Sequence, residues 1–317
     1  MQTQINFIKL IYPPISNQEA DWLWEDERVR DYVSSSKLYL IAQRREVFFE
    51  DFRWREGEPS LIFDLVMGST AIRNVVLPFD HFDDDLELEL GNKMIRVWRA
   101  GEIGQDGALL EWFTADSLLF DYWRGARVVL GLEDYRQFTT FDLFYVGISK
   151  KDDSLTRLFK TGHKARTKIL SNETQIGKNA RLTDELFIFL MDFEALGFST
   201  LLDDSEEAIA KFLASETVTD LRLVADAEKA LVKVLDTSYN KEKYAKYPTS
   251  KDGLKNAGLS RWAFTIDEPL TFRTDRIEMS FKRWLENPLA PSMGDTIHVD
   301  GASVQVGSPD GSAVDII

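Results

Sequence analysis

Cysteine is missing from all 317 residues. Its absence excludes a disulfide framework, thiolate metal sites and a cysteine nucleophile. Long apolar runs are missing too: none approaches the roughly 18 residues that a membrane-spanning helix needs. The first residues, MQTQINFIKLIYPP, carry one lysine and no run that would serve as a signal peptide. There is no internal repeat and no low-complexity segment. A cytoplasmic protein with no membrane partner is the expectation. Basic residues are in short supply, 38 Lys and Arg against 53 Asp and Glu, for a net charge of −15. A chain that acidic is poorly suited to bind nucleic acid non-specifically. Apolar residues, by contrast, make up 44% of the chain, enough to bury a core.

The acidic excess is concentrated in one region. Residues 1–125 carry a net −10, residues 126–248 a net −2 and residues 249–317 a net −3. One window reverses the sign. There Lys150, Lys151, Arg157, Lys160, Lys164, Arg166 and Lys168 stand against Asp152 and Asp153, a net +5, with His163 in addition. Local charge governs docking at one site more than global charge does. The same run also reads as the solvated face of a helix.

Periodicity divides the chain into a β-rich N-terminal region over 1–125, a central domain over 126–248 and a β-containing extension over 249–317. In the first region 61–67 and 72–79 are short apolar runs with strand character. Leu86, Leu88 and Leu90 alternate with acids, the period of a half-buried strand, and Gly91-Asn92 turns it into a partner over 93–98. Residues 20–33 read as helical, and 109–123 as a short helix. Asp83-Asp84-Asp85 reads as a solvated loop, because no spaced second set of metal ligands accompanies it. In the central domain Val128-Val129-Leu130 and Leu143–Ile148 read as two strands of a hairpin. Ser154 is a candidate N-cap for a helix running to Leu170. Leu186–Met191 reads as a buried strand, and 206–213 and 225–235 as helices. In the extension, 262–266 reads as a strand and 296–306 as a hairpin on Asp300-Gly301. Residues 307–317 read as a loose tail.

Four polar elements stand out in the central domain: Tyr145 just before Gly147, Arg157 and His163 on the basic helix, Glu228 on the last helix, and Asn240 beyond its end. Phosphodiester hydrolysis needs a carboxylate-held divalent cation, an arginine on the phosphoryl oxygens and a group that takes a proton from water. Glu228, Arg157 and Tyr145 supply those types. A single carboxylate leaves most of a metal shell to water and phosphate, which suits Mg²⁺ or Mn²⁺. Each residue also has a plainer reading. Tyr145 reads as core packing, Glu228 as a solvated helix charge, His163 as a surface residue and Asn240 as a helix C-cap.

The succession VVLGL, LFYVGIS, a basic helix with Arg157, then Glu228-Lys-Ala-Leu-Val and Tyr239-Asn240 resembles the GIY-YIG nuclease domain over roughly 127–241. The resemblance implies an α+β fold in which a small antiparallel sheet is flanked by helices. It implies that Tyr145 lies near the attacking water, that Arg157 contacts the scissile phosphate, that Glu228 holds the metal and that Asn240 braces the site. His163 matches a histidine that some members carry on this helix. Lys150, Lys151, Lys160, Lys164, Arg166 and Lys168 would then lie along nucleic acid, DNA in preference to RNA. The first motif departs from the family. Leu130-Gly131-Leu132 stands where GIY is expected, so its tyrosine is missing, and Tyr135 is a substitute only if the loop folds back.

Three functions follow as expectations. The first is a metal-dependent endonuclease, in the restriction or anti-phage defence setting such domains often have. The second is a catalytically inactive scaffold that binds nucleic acid or, through the acidic N-terminal region, a protein. The third is hydrolysis of another phosphodiester such as a signalling nucleotide.

Overall fold

The computed structural model describes residues 2–55, 57–82, 85–105, 107–160, 162–199, 221–257, 259–284 and 292–316. The expected helix over 206–213 and two of the three acids at 83–85 lie outside the described residues.

Strands β1 (Gln2–Leu10) and β2 (Ile15–Ser16) lead into helices α1 (Asn17–Leu23) and α2 (Glu27–Tyr32), and β3 (Leu38–Gln43) follows. Two small antiparallel sheets come next. One holds β4 (Phe48–Arg55), β5 (Ser60–Met67) and β6 (Thr70–Pro78); the other holds β7 (Leu86–Leu90), β8 (Met94–Arg99) and β9 (Leu109–Thr114). Helix α3 (Ala115–Trp123) starts where Thr114 and Ser117 form a capping box, so the run over 109–123 is half strand and half helix. The middle of the chain supplies β10 (Thr140–Ile148), α4 (Ser154–Phe159), α5 (Lys164–Asn172), α6 (Leu182–Glu185), β11 (Leu186–Ser199) and α7 (Leu221–Leu235). The last strands are β12 (Arg261–Ile266), β13 (Thr271–Arg273), β14 (Glu278–Ser280), β15 (Thr296–Asp300), β16 (Ser303–Gly307) and β17 (Ala313–Asp315).

The main sheet corrects the expected architecture. In place of a small antiparallel sheet flanked by helices, one curled mixed sheet runs in the order β14-β13-β10-β3-β11-β1-β12-β15-β16-β17, with β2 added on β11. It is parallel at β10/β13 and at β1/β12. Its strands come from all three sequence regions and interleave. The partner of β10 is β3, antiparallel, and not the segment Val128–Leu130. That segment makes a single bridge, Leu130 to Val76, and Tyr135–Phe138 after it is a 3₁₀ turn. The helix expected from Ser154 to Leu170 is two helices, capped by Asp153 and by His163. The tail contributes β17.

Burial explains why β3 carries no sequence period. All six of its residues are buried, so both faces are apolar. Leu38, Leu40 and Ala42 enter the larger core, together with Phe187, Phe189 and Met191 of β11. Tyr39 and Ile41 enter a second core with Leu186, Ile188 and Leu190, which Ala20, Leu155, Leu158 and Ile169 of α1, α4 and α5 cover. On β10 the register with β3 shifts between Leu143 and Tyr145. This bulge breaks the alternation: Leu143 and Val146 face the larger core, whereas Phe144 and Tyr145 both face the second. Tyr145 thereby comes to the same face as Tyr39. Arg44, just past β3, ties this sheet to α3 by a double hydrogen bond to Asp116 at 2.8 and 3.0 Å and lies over the rings of Phe141 and Phe187.

Glu19 closes the capping box of α1 by accepting from the Ser16 N–H at 2.9 Å. It lines a cavity of about 260 Å³ with Glu46 and Asp116. Burial, then the fields of Asp116 and Glu46, push its carboxyl up to about 7 from 4.5. Ionising it therefore disfavours the fold. The penalty is absent below pH 4.5, grows as pH rises and is complete above pH 7. Glu19→Gln keeps the acceptor for Ser16. Urea unfolding should find it up to about 3 kcal/mol more stable than the parent at pH 8 and equal to it at pH 4.

Candidate active site

The sheet register assembles the site. Tyr39 lies directly opposite Gly147 in the β3/β10 pair. A Cβ on Gly147 would stand 2.5 Å from a ring atom of Tyr145 and 2.6 Å from the ring and hydroxyl of Tyr39. The glycine of Tyr145-Val146-Gly147 is thus the floor on which two tyrosine rings meet, their centroids 6.1 Å apart. Tyr135, the residue named as a substitute for the missing first-motif tyrosine, lies elsewhere and packs against Tyr122 and Trp123.

His163 completes the aromatic cluster, with ring centroids 5.5 Å from Tyr39 and 5.2 Å from Tyr145. It is buried and caps α5. Its Nδ1 accepts the backbone N–H of Arg166 at 3.0 Å, and its Nε2 lies 2.8 Å from the Tyr39 hydroxyl. Burial, then the nearby Arg157 and Arg166, push its pKa down to about 4, so the ring is neutral in ordinary buffers. A neutral ring that accepts at Nδ1 carries its proton at Nε2. Nε2–H therefore donates to the Tyr39 oxygen, 2.8 Å away, and fixes the orientation of that phenol. In this tautomer His163 orients Tyr39 and does not accept a proton from it.

Burial raises both phenols. The field of Arg157 draws both down, and that of Glu228 pushes both up. The mutual interaction of the two phenols raises Tyr39 and lowers Tyr145, so Tyr145 is the phenol better placed to ionise. Arg157 is exposed on α4 within electrostatic reach of both tyrosines and His163.

Asn240 is buried and acts as a piece of β-strand. β13 covers β10 only over Thr140–Asp142, which leaves the later part of that edge open. The Asn240 Oδ1 accepts the Val146 N–H at 3.0 Å, and its Nδ2 donates to the Val146 carbonyl at 2.7 Å. The Tyr239 N–H donates to the Phe144 carbonyl at 3.1 Å, extending the seal. Asn240 is thus a brace on the strand of Tyr145.

Glu228 projects from α7, which packs on β10. It accepts a hydrogen bond from the Tyr244 hydroxyl at 3.2 Å, and burial raises its carboxyl against the pull of Tyr244, Lys150 and Lys229. Among the described residues no three His, Asp or Glu side chains form a metal cage. A lone carboxylate does not fit a tightly caged ion. It fits Mg²⁺ or Mn²⁺, which keep most of their shell as water and substrate phosphate.

The basic residues divide. Lys151, Lys160, Lys164 and Lys168 are exposed, and Lys164 and Lys168 share a face of α5. Lys168 lies over the Tyr239 ring. Lys150 pairs with Asp252 at 3.2 Å. Arg166 is turned toward α1: it donates to Asn17 at 2.6 Å and covers the ring of Phe159. Of the sequence-derived candidates, Tyr145 and His163 are in contact, Arg157 and Glu228 lie within electrostatic reach of Tyr145, and Asn240 braces its strand. Tyr39 and Tyr244 were not legible as site residues. A buried tyrosine in an apolar run is the weak signal that Tyr39 left.

Comparison with protein-family models, with curated proteins and with solved structures finds no match in any of the three.

Gly147→Ala should force the two rings apart, because Tyr39 is fully buried and has nowhere to retreat. The expected cost is about 1–3 kcal/mol in urea unfolding, with a changed near-ultraviolet tyrosine signal.

Proposed function

We propose that the chain is a metal-dependent endonuclease that hydrolyses phosphodiester bonds of nucleic acid, DNA in preference to RNA. One observation carries the reading. Tyr39, Tyr145 and His163 come from two strands and the cap of α5 and pack ring to ring with a His163–Tyr39 hydrogen bond, and Arg157 of α4 and Glu228 of α7 lie within electrostatic reach of both phenols. They are the types that phosphodiester hydrolysis requires.

Held at Glu228, Mg²⁺ or Mn²⁺ would supply positive charge to the phosphoryl oxygens. Arg157 binds the same phosphate from the side of α4 and offsets the charge that develops there. Tyr145, ionised, takes the proton of the attacking water as the new P–O bond forms and the old one breaks. Tyr39, fixed by His163, would donate to the ionised Tyr145 and stabilise it. Asn240 holds the strand edge behind Tyr145. The exposed lysines Lys151, Lys160, Lys164 and Lys168 offer charge to the flanking backbone. The anti-phage or restriction setting remains part of this proposal.

The test is a plasmid-nicking assay with Mg²⁺, with Mn²⁺ and with chelator. Nicking should need the metal. Glu228→Ala should abolish it while leaving the thermal transition in place. Arg157→Ala should lower the rate about 10²–10³-fold, and Tyr145→Phe about 10²–10⁴-fold. A folded protein that cuts neither plasmid nor single-stranded DNA with either metal would turn the reading to the inactive scaffold.

A further inference from the structure

Tyr244 has no counterpart among the expected site residues, yet its hydroxyl donates to Glu228 Oε2 at 3.2 Å. It sits on the chain that follows α7, and that chain is pinned on both sides of it, by the two residues just past the helix end and by α7 itself. Before Tyr244, Lys243 reaches back to the carbonyl of Thr237 at 2.6 Å and to Asp236 at 2.9 Å. After it, Asp226 accepts the Tyr247 hydroxyl at 2.9 Å and the Leu254 N–H at 3.1 Å, and Lys229 pairs with Asp252. The indole of Trp262 donates to the same Asp226 at 2.7 Å, which locks the far end to β12. Between these anchors the Tyr244 backbone has φ +47°, a left-handed conformation that a bulky side chain rarely adopts. Such a conformation persists only where its surroundings impose it. Three residues of α7, Asp226, Glu228 and Lys229, thus hold one strap, and the strap delivers one hydroxyl to the carboxylate.

We propose that Tyr244 is a positioning residue for Glu228: its hydroxyl holds one carboxylate oxygen and leaves the other to a divalent cation. The inference rests on the metal-dependent reading above. An exposed glutamate samples many rotamers and can turn either oxygen outward. A hydrogen bond at one oxygen fixes the plane of the carboxylate and makes the remaining oxygen the ligand. Outer partners of this kind typically change metal affinity about 10- to 100-fold when removed. Tyr244 does not touch the phosphate or the attacking water in this role, so it acts on metal affinity and not on the chemical step.

The experiment measures binding of Mn²⁺ alone to the full chain by electron paramagnetic resonance, for the parent, Tyr244→Phe and Glu228→Ala. Tyr244→Phe keeps the ring and its packing. Its thermal transition should match the parent's, and its Mn²⁺ dissociation constant should rise about 10-fold or more. In the nicking assay the half-saturating Mn²⁺ concentration should rise by the same factor, with the rate at saturating metal unchanged; a merely structural role would move the rate or the thermal transition instead. If Tyr244→Phe binds Mn²⁺ as the parent does while Glu228→Ala does not, the positioning role is wrong and the metal site stands. If Glu228→Ala also binds as the parent does, the metal reading fails and takes the positioning role with it.

Discussion

The site depends on one strand pairing. Leu38–Gln43 and Thr140–Ile148 lie side by side in the main sheet, and their register places Tyr39 across from Gly147. A slip of one residue would send Tyr39 into the opposite core, since strand side chains alternate between faces. The bulge at Phe144 makes the complementary adjustment on the other strand by turning Tyr145 to the same face. The glycine then leaves room for both rings. Buried apolar residues on both faces of β3 are what hold this register, so the fold energy and the site geometry have a common source.

Burial also sets the chemistry. The two phenols and His163 sit in an apolar core, which favours their neutral forms. Against that background the charged neighbours decide which group differs from the rest. Arg157 lies on the solvent side and draws the phenols toward ionisation, and the capped tautomer of His163 donates to Tyr39. The N-cap of α5 therefore sets more than the start of a helix: it fixes which nitrogen of His163 carries the proton that faces Tyr39. The chain as a whole is strongly acidic, yet the segment around this cluster is basic. An anionic ligand guided to the cluster meets local charge of the opposite sign.

Helix α7 works on both of its sides. Leu223, Ala227, Ala230, Leu231 and Val234 bury it in the larger core. Asp226, Glu228 and Lys229 face the strap that carries Tyr244. A buried aspartate such as Asp226 is retained only with its hydrogen bonds met, and Tyr247, Leu254 and Trp262 meet them. The extension after residue 248 is in this way joined to the site through Asp226.

Much of the local structure was legible in the sequence. Alternation marked β7, the Asp300-Gly301 turn marked the last hairpin, and an amphipathic pattern marked α7. The order Tyr145, Arg157, His163, Glu228, Asn240 included Tyr145 and His163, whose rings meet, and Asn240, which seals the same strand. These features rest on short-range rules of pleat, helix pitch and turn geometry, which act within a few residues. The sequence alone could not show that β10 pairs with β3. The excursion over 44–139 separates the two strands, and a run as apolar as Leu-Tyr-Leu-Ile-Ala carries no period when both of its faces are buried. For the same reason Val128–Leu130, the apolar run nearest in sequence, looked like the partner. Which strands become neighbours is decided by burial of whole faces against one another, a long-range condition. Local chemistry therefore determined the candidate side chains, and the tertiary structure decided that Tyr39 joins Tyr145 and that Tyr244 reaches Glu228.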